Sequence, residues 1–279
     1  MENKIPSPYI VPFDFTPVSD AAVQQALNIS RTTGAPIQLL HVVELRNESD
    51  QAQKKLDAAV AKLNLTDADP QVEGKVIAGS IYEDISKIAD YTESQLIVMG
   101  THGAHGFQRI FGSRAIKVIT SSSVPFVVVQ KGTQPRPYKR IVVPVDLTKE
   151  SISVMRFAKN IAKEFGATVH VVGAHQGDAW FEKKVRANIK LVDNYLQKEG
   201  VSSVVKMLDG NHAYEKEVMN YAELVDADLI ALGYFSESIL PQFDSFAQSL
   251  ITNERQTPVL IINAEEIGRI SSQYTFIGV

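Results

Sequence analysis

The chain of 279 residues contains no cysteine. That absence excludes disulfides, thiolate nucleophiles and thiolate metal sites together. There is no surplus of positive charge either. Lys and Arg number 28 against 32 Asp and Glu, giving a formal net charge of -4 and a pI near 5.9. Such a balance gives no basic footprint for nucleic acid or for an anionic membrane. No apolar run approaches the roughly 18 residues that a membrane helix needs. The opening Met1-Glu-Asn-Lys-Ile-Pro-Ser-Pro8 has no signal-peptide core, so a cytoplasmic location is expected. Two familiar nucleotide motifs are also missing, the G-x-x-x-x-G-K-[ST] loop and the G-x-G-x-x-G fingerprint. What remains is ordinary globular composition, 44% hydrophobic and 22% charged, in a chain whose length suits two domains.

The chain repeats itself. Tyr9-Ile-Val-Pro-Phe-Asp-Phe-Thr16 recurs as Ile141-Val-Val-Pro-Val-Asp-Leu-Thr148, so Pro12 matches Pro144 and Asp14 matches Asp146 at an offset of 132. Gly34-Ala35 recurs as Gly166-Ala167 at the same offset. Further on, Gln95-Leu-Ile-Val-Met-Gly100 matches Asp228-Leu-Ile-Ala-Leu-Gly233, and Val124-Pro-Phe-Val-Val-Val129 matches Thr257-Pro-Val-Leu-Ile-Ile262, both at an offset of 133. A duplicated domain accounts for all four matches. The polar, proline-bearing stretch Lys131-Gly-Thr-Gln-Pro-Arg-Pro137 reads as the linker between domains 1–134 and 135–279. Residues 265–279 fit neither repeat and read as a tail.

Within each repeat, short continuous apolar runs alternate with amphipathic stretches of helical length, the pattern of a parallel sheet covered on both faces. In the first repeat the strands fall near 8–13, 36–43, 72–78, 95–99 and 125–130. Helices fall near 18–33, 48–64, 80–91 and 113–122, with Ser19-Asp20 and Ser49-Asp50 as polar starts. Open parallel sheets take ligands beyond the carboxyl ends of their strands, where the strand order reverses. With an assumed order of 3-2-1-4-5, that point lies between strands 1 and 4. Asp14 follows the first of these and a glycine-rich segment follows the other.

That segment, Gly100-Thr-His-Gly-Ala-His-Gly-Phe-Gln-Arg-Ile-Phe-Gly-Ser113, joins a buried-type strand to a predicted helix. Glycines let the backbone approach a ligand closely, and Ser113 is placed to cap the helix. The helix start directs unpaired amides and the positive end of its dipole into the loop, which suits a phosphate.

These residues together resemble the universal stress protein family, and the resemblance runs over nearly the whole chain as two tandem copies. Its carriers are V-P-F-D-F-T at 11–16, L-H-V-V at 40–43, I-V-M-G-T-H-G at 97–103, G-S at 112–113 and V-P-F-V-V-V at 124–129. The resemblance implies an α/β fold of two tandem Rossmann-like domains, related to the adenine-nucleotide α-hydrolases. Each would be a five-stranded parallel sheet with helices on both faces. It also implies dimerisation through the last strand, and binding of ATP or AMP in a subset of members. Carried over residue by residue, Asp14 meets the adenosine end with Pro12 shaping that wall, and Val42 meets the base through its backbone. Met99 and Gly100 line the ribose, His102 and Gly103 the first phosphate, and Gly112, Ser113 and Arg114 the later ones. Any Mg²⁺ arrives with the phosphates.

Two departures stand out. The family motif is G-x2-G-x9-G-[ST], but only residues 104–111 separate Gly103 from Gly112, one fewer than the motif has. The second repeat has no glycine between Gly233 and Gly268 and carries Glu237 and Asp244 where phosphate would sit. It is therefore expected to be silent, with Phe235, Phe243 and Phe246 filling the space as core. Other constellations are weaker. His102 and His105 lack a third metal ligand. Asp14, His102 and Ser113 lack the strand-turn-helix elbow of a nucleophilic serine, so no catalytic residue is assigned. Arg109 reads as an exposed cation.

Three readings stay open. The leading one is a non-enzymatic, nucleotide-binding regulatory module of the stress response, its two domains forming an intramolecular pseudo-dimer, with a homodimer also allowed and no nucleic-acid or membrane partner. The others are a nucleotide-free interaction scaffold and an ATP-using enzyme.

Overall fold

The computed structural model describes residues 7–63, 65–101, 119, 122–147, 150–175, 177–234 and 243–263. The chain divides into two compact units, Met1–Arg136 and Pro137–Val279.

The first unit runs β1 (Tyr9–Pro12), α1 (Pro17–Thr33), β2 (Ile37–Val43), a 3₁₀ turn at Arg46–Glu48, α2 (Ser49–Ala61), β3 (Val72–Ala78), α3 (Ile81–Tyr91), β4 (Leu96–Gly100) and β5 (Phe126–Val129). Its strands lie in the order β3-β2-β1-β4-β5, and each neighbouring pair is parallel. The order reverses on either side of β1, as expected. β1 and β5 are buried along their whole lengths, which is why they read as unbroken apolar runs. The outer strand β3 alternates instead. Gln53 of α2 reaches it with its side-chain amide, donating to Gly74 C=O at 2.9 Å and accepting from Val76 N–H at 3.0 Å. This occupies backbone groups that an edge strand otherwise leaves unpaired.

The second unit runs β6 (Arg140–Pro144), a short α4 (Glu150–Ser153), α5 (Met155–Phe165), β7 (Thr168–Ala174), α6 (Ala179–Lys198), β8 (Ser203–Leu208), α7 (Tyr214–Leu224), β9 (Leu229–Tyr234), α8 (Phe243–Ile251) and β10 (Val259–Asn263). Its order, β8-β7-β6-β9-β10, is again all parallel. The duplication reaches the backbone. Gly34 and Gly166 both adopt left-handed conformations, φ 73° and 63°, and end α1 and α5 with bonds back to Ser30 and Ala162.

Several expectations need correction. α1 does not start at Ser19-Asp20: Thr16 is its N-cap, Pro17 opens it, and Ser19 closes a reciprocal capping box. A 3₁₀ turn precedes α2, which stops at Ala61 rather than 64. Of the helix expected at 113–122, residues 119 and 122 are described; 119 is helical and 122 is not. The second strand of each repeat carries a histidine, His41 in β2 and His170 in β7. His41 is half-buried, whereas His170 is buried near the start of β7, its Nδ1 3.0 Å from the Tyr221 hydroxyl. At an offset of 132 the partner of His170 is Gln38, not His41.

Candidate functional site

In the first unit β1 ends at Pro12 while β2 continues to Val43. The last ladder bond between them runs from Phe13 N–H to Leu40 C=O at 2.9 Å. Alternation along a parallel strand then turns the backbone of Val42 toward the space that β1 has vacated. Phe13 C=O, which faces that space, is met by His41 Nδ1 at 2.7 Å.

The chain leaves β1 through a tight, side-chain-bonded turn. Phe15 has φ 63°, a conformation that side chains other than glycine rarely adopt. The turn brings Thr16 back so that its N–H and its hydroxyl donate to Asp14 Oδ1, at 3.2 and 2.5 Å. Ser19 Oγ accepts from Thr16 N–H at 3.1 Å and from Asp14 N–H at 3.4 Å, and donates to Thr16 C=O at 2.9 Å. The Asp14 carboxylate is thus fixed at the mouth of the crevice, half-buried. The Phe15 ring is held edge-on by Phe13 and His41, with centroids 5.0 and 4.8 Å away, and Lys55 Nζ lies 3.9 Å from its centroid.

On the other side, β4 ends in Met99 and Gly100, both half-buried. A Cβ on Gly100 would stand 2.8 Å from Val18 Cγ2 and 3.0 Å from the Val18 carbonyl oxygen. The glycine therefore has a packing reason: it lets α1 lie against the strand end from which the glycine-rich segment departs. Thr101 N–H then donates to Val129 C=O at 2.9 Å. Since β1 pairs with both β2 and β4, Pro12, Asp14, Val42, Met99 and Gly100 all come to one end of the sheet. His102, Gly103, Gly112, Ser113 and Arg114 lie outside the described residues, as do His105 and Arg109.

The second unit keeps part of this arrangement. Asp146 N–H donates to Ser151 Oγ at 3.2 Å, repeating the Asp14–Ser19 bond. Its crevice, however, contains side chains. The Tyr214 hydroxyl lies 3.1 Å from Val145 C=O, just past the end of β6, and 3.0 Å from Val172 C=O in β7. The Tyr214 ring stacks on Phe246, centroids 5.5 Å apart and planes at 19°. The ring pair joins the start of α7 to α8, the helix that follows β9. Burial of the phenol, with the Asp146 charge adding to it, holds the Tyr214 pKa far above the ordinary tyrosine range. It stays a donor at working pH.

A model of the universal stress protein family matches the chain twice, over residues 8–130 and 137–263. The chain belongs to the universal stress protein family. A universal stress protein from Methanocaldococcus jannaschii is 30% identical over 142 residues, covering 45% of this chain and 82% of that protein. The crystal structure of a universal stress protein from Archaeoglobus fulgidus superposes with a TM-score of 0.74 over 92% of this chain and 98% of its own, at 20% identity. That likeness is one of fold. A second A. fulgidus universal stress protein, in complex with dAMP, covers 46% of this chain at 24% identity and a TM-score of 0.39.

In this universal stress protein the sequences of the two domains differ where the family's phosphate motif falls. Ile119-Thr120 and Ile251-Thr252 align at an offset of 132, which sets Asp244-Ser245-Phe246 opposite Gly112-Ser113-Arg114. Phe246, one of the aromatics expected as filler, is the stacking partner of Tyr214. Phe235 and the side chain of Phe243 are outside the described residues. Tyr214 escaped the sequence reading, although its place in the repeat, matching Ile81 at an offset of 133, was available as a signal. Phe15 and Lys55 were missed too, and a positive φ on phenylalanine leaves no trace in sequence. Among the described residues no group of three or more His, Asp or Glu is placed to hold a metal ion. No described helix is long and apolar enough to cross a membrane.

Proposed function

We propose that this tandem universal stress protein binds an adenine nucleotide, ATP or AMP, in its first domain and works as a regulatory module of the stress response rather than as a turnover enzyme. The observation that carries this reading is the fixed carboxylate of Asp14, set beside the outward-facing backbone of Val42 and across from Met99 and Gly100 at one strand end. A carboxylate so oriented suits ribose hydroxyls, and an unpaired strand backbone suits the edge of a base. The sequence then continues into the glycine-rich segment 101–113, which supplies the phosphate end, with Mg²⁺ entering on the phosphates.

The second domain is the silent partner, because Tyr214 and Phe246 take up the equivalent space. Calorimetry with Mg²⁺ and ATP on protein stripped of nucleotide tests the proposal. A hydrogen bond to a charged group contributes about 1.5–3 kcal/mol, so Asp14→Ala is expected to weaken binding about tenfold or more. Asp146→Ala is expected to leave it unchanged. An Asp14→Ala protein that binds as tightly as the parent would remove the assigned site.

A further inference from the structure

Helix α6 is amphipathic in two senses. Its inward stripe is Val185, Ile189, Val192 and Leu196, all buried. The opposite stripe, Trp180, Lys184, Ala187 and Leu191, has the same 4-3-4 spacing and faces solvent. On it Trp180 is 63% exposed and Leu191 57%, two of the larger apolar side chains left uncovered among the described residues. At 1.5 Å per residue this stripe runs about 16 Å.

Apart from Asp178, the exposed N-cap, the exposed charges around it are of one sign. Lys183, Lys184, Lys190 and Lys198 are all exposed on or beside the stripe. None has an ion-pair partner among the described residues. The acids of the helix are turned aside and occupied. Glu182 accepts from Arg186 at 2.7 Å and lies 3.1 Å from His175. Asp193 accepts from Ser203 at 2.5 Å and from Gln197 at 2.9 Å. A chain with net charge -4 thus carries one helix face that is locally cationic and apolar together.

We propose that the solvent face of α6 is a peripheral docking surface for an anionic lipid bilayer. Trp180 and Leu191 enter the headgroup boundary while the four lysines meet lipid phosphates and carboxylates. Tryptophan suits such a boundary because its ring is apolar and its N–H polar, and lysine stems extend apolar surface toward charged headgroups. A second copy is disfavoured on this face, since self-pairing sets lysine against lysine. Nucleic acid is a poorer fit. Lys184 Nζ already lies 5.4 Å from the Trp180 ring centroid and Phe181 packs edge-on at 5.0 Å, leaving less ring for base stacking. The contact is peripheral and independent of nucleotide binding in the first domain.

Trp180 is the chain's single tryptophan, so its fluorescence reports this site alone. The full chain is titrated with phosphatidylcholine vesicles, with and without phosphatidylserine, at low and high salt. The expected result is a blue shift and co-sedimentation with the phosphatidylserine vesicles only, reversed by salt. Binding should fall at least tenfold in the double variant Lys183→Glu, Lys190→Glu, whose positions are exposed and whose folding circular dichroism checks. Trp180→Ala, read by sedimentation, should weaken binding to the phosphatidylserine vesicles at low salt. No shift with phosphatidylserine vesicles at low salt, or equal binding by the charge-reversed variant, overturns the proposal. So does a larger shift with single-stranded RNA or polyglutamate than with those vesicles.

Discussion

Phe15 holds a left-handed backbone, φ 63°, between Asp14 and Thr16. That conformation costs an ordinary residue roughly 1–2 kcal/mol. Two edge-on aromatic contacts at about 0.5–1.5 kcal/mol each and one exposed cation–π contact at about 0.5–1 kcal/mol offset it, so the strained turn is retained and Asp14 stays aimed. Tyr214 plays the corresponding part in the second domain by filling rather than shaping. Tyr214→Phe is expected to cost about 1–3 kcal/mol in denaturant unfolding, since the Val145 carbonyl loses its side-chain donor. Two further side chains set an acid limit on stability. Burial opposes ionisation of Glu217, but N–H groups of Gly210, His212 and Asn211, with the His212 charge, keep its pKa below 4.5. Its contribution is therefore present above 4.5 and lost as pH falls through the folded-state value. Burial, and then the Arg140 charge, lower His170 below 6.5, so the unfolded chain takes up that proton first. Stability should decline as pH drops below about 6.5 and decline again below 4.5. Thermal melts from pH 7 to pH 4 check this, with Glu217→Gln flattening the lower step and His170→Gln the upper.

At the scale of elements, the alternation of apolar runs and amphipathic stretches was enough to set the five strands and three described helices of the first domain to within a few residues. The start of α1 was not legible to the residue, because Thr16 and Ser19 cap each other and either hydroxyl reads as the first. The 3₁₀ turn before α2 has no apolar period to announce it. Nor is the clasp of Gln53 on β3 visible, since it depends on where the edge strand lies in space. Gly100 looked like a loop glycine and proves to be a packing glycine as well. Gly100→Ala should destabilise the protein by about 1–3 kcal/mol, because its Cβ meets a backbone oxygen as well as a side chain. Urea unfolding measures this, and a loss below the range would mean that α1 moves away easily.

The whole molecule is one fold written twice and then made unequal. Sequence alone exposed the duplication, because parallel strands buried on both faces keep their apolar runs in register at offsets of 132 and 133. With an assumed strand order that matches the sheet, it also put Asp14 and Gly100 at the ends of the strands flanking the reversal. It named Phe246 as a filler of the second crevice but not the Tyr214 ring on which Phe246 stacks. Tyr214 and Phe246 are 32 positions apart and meet only through the packing of α7 and α8. The consequence we propose belongs to the intact chain: two domains, one nucleotide. Isothermal titration of the nucleotide-free protein with Mg²⁺ and ATP is the most direct test. A stoichiometry of one per chain, reduced in affinity by Asp14→Ala and untouched by Asp146→Ala, is the predicted result. Two sites per chain, or none, would contradict the account.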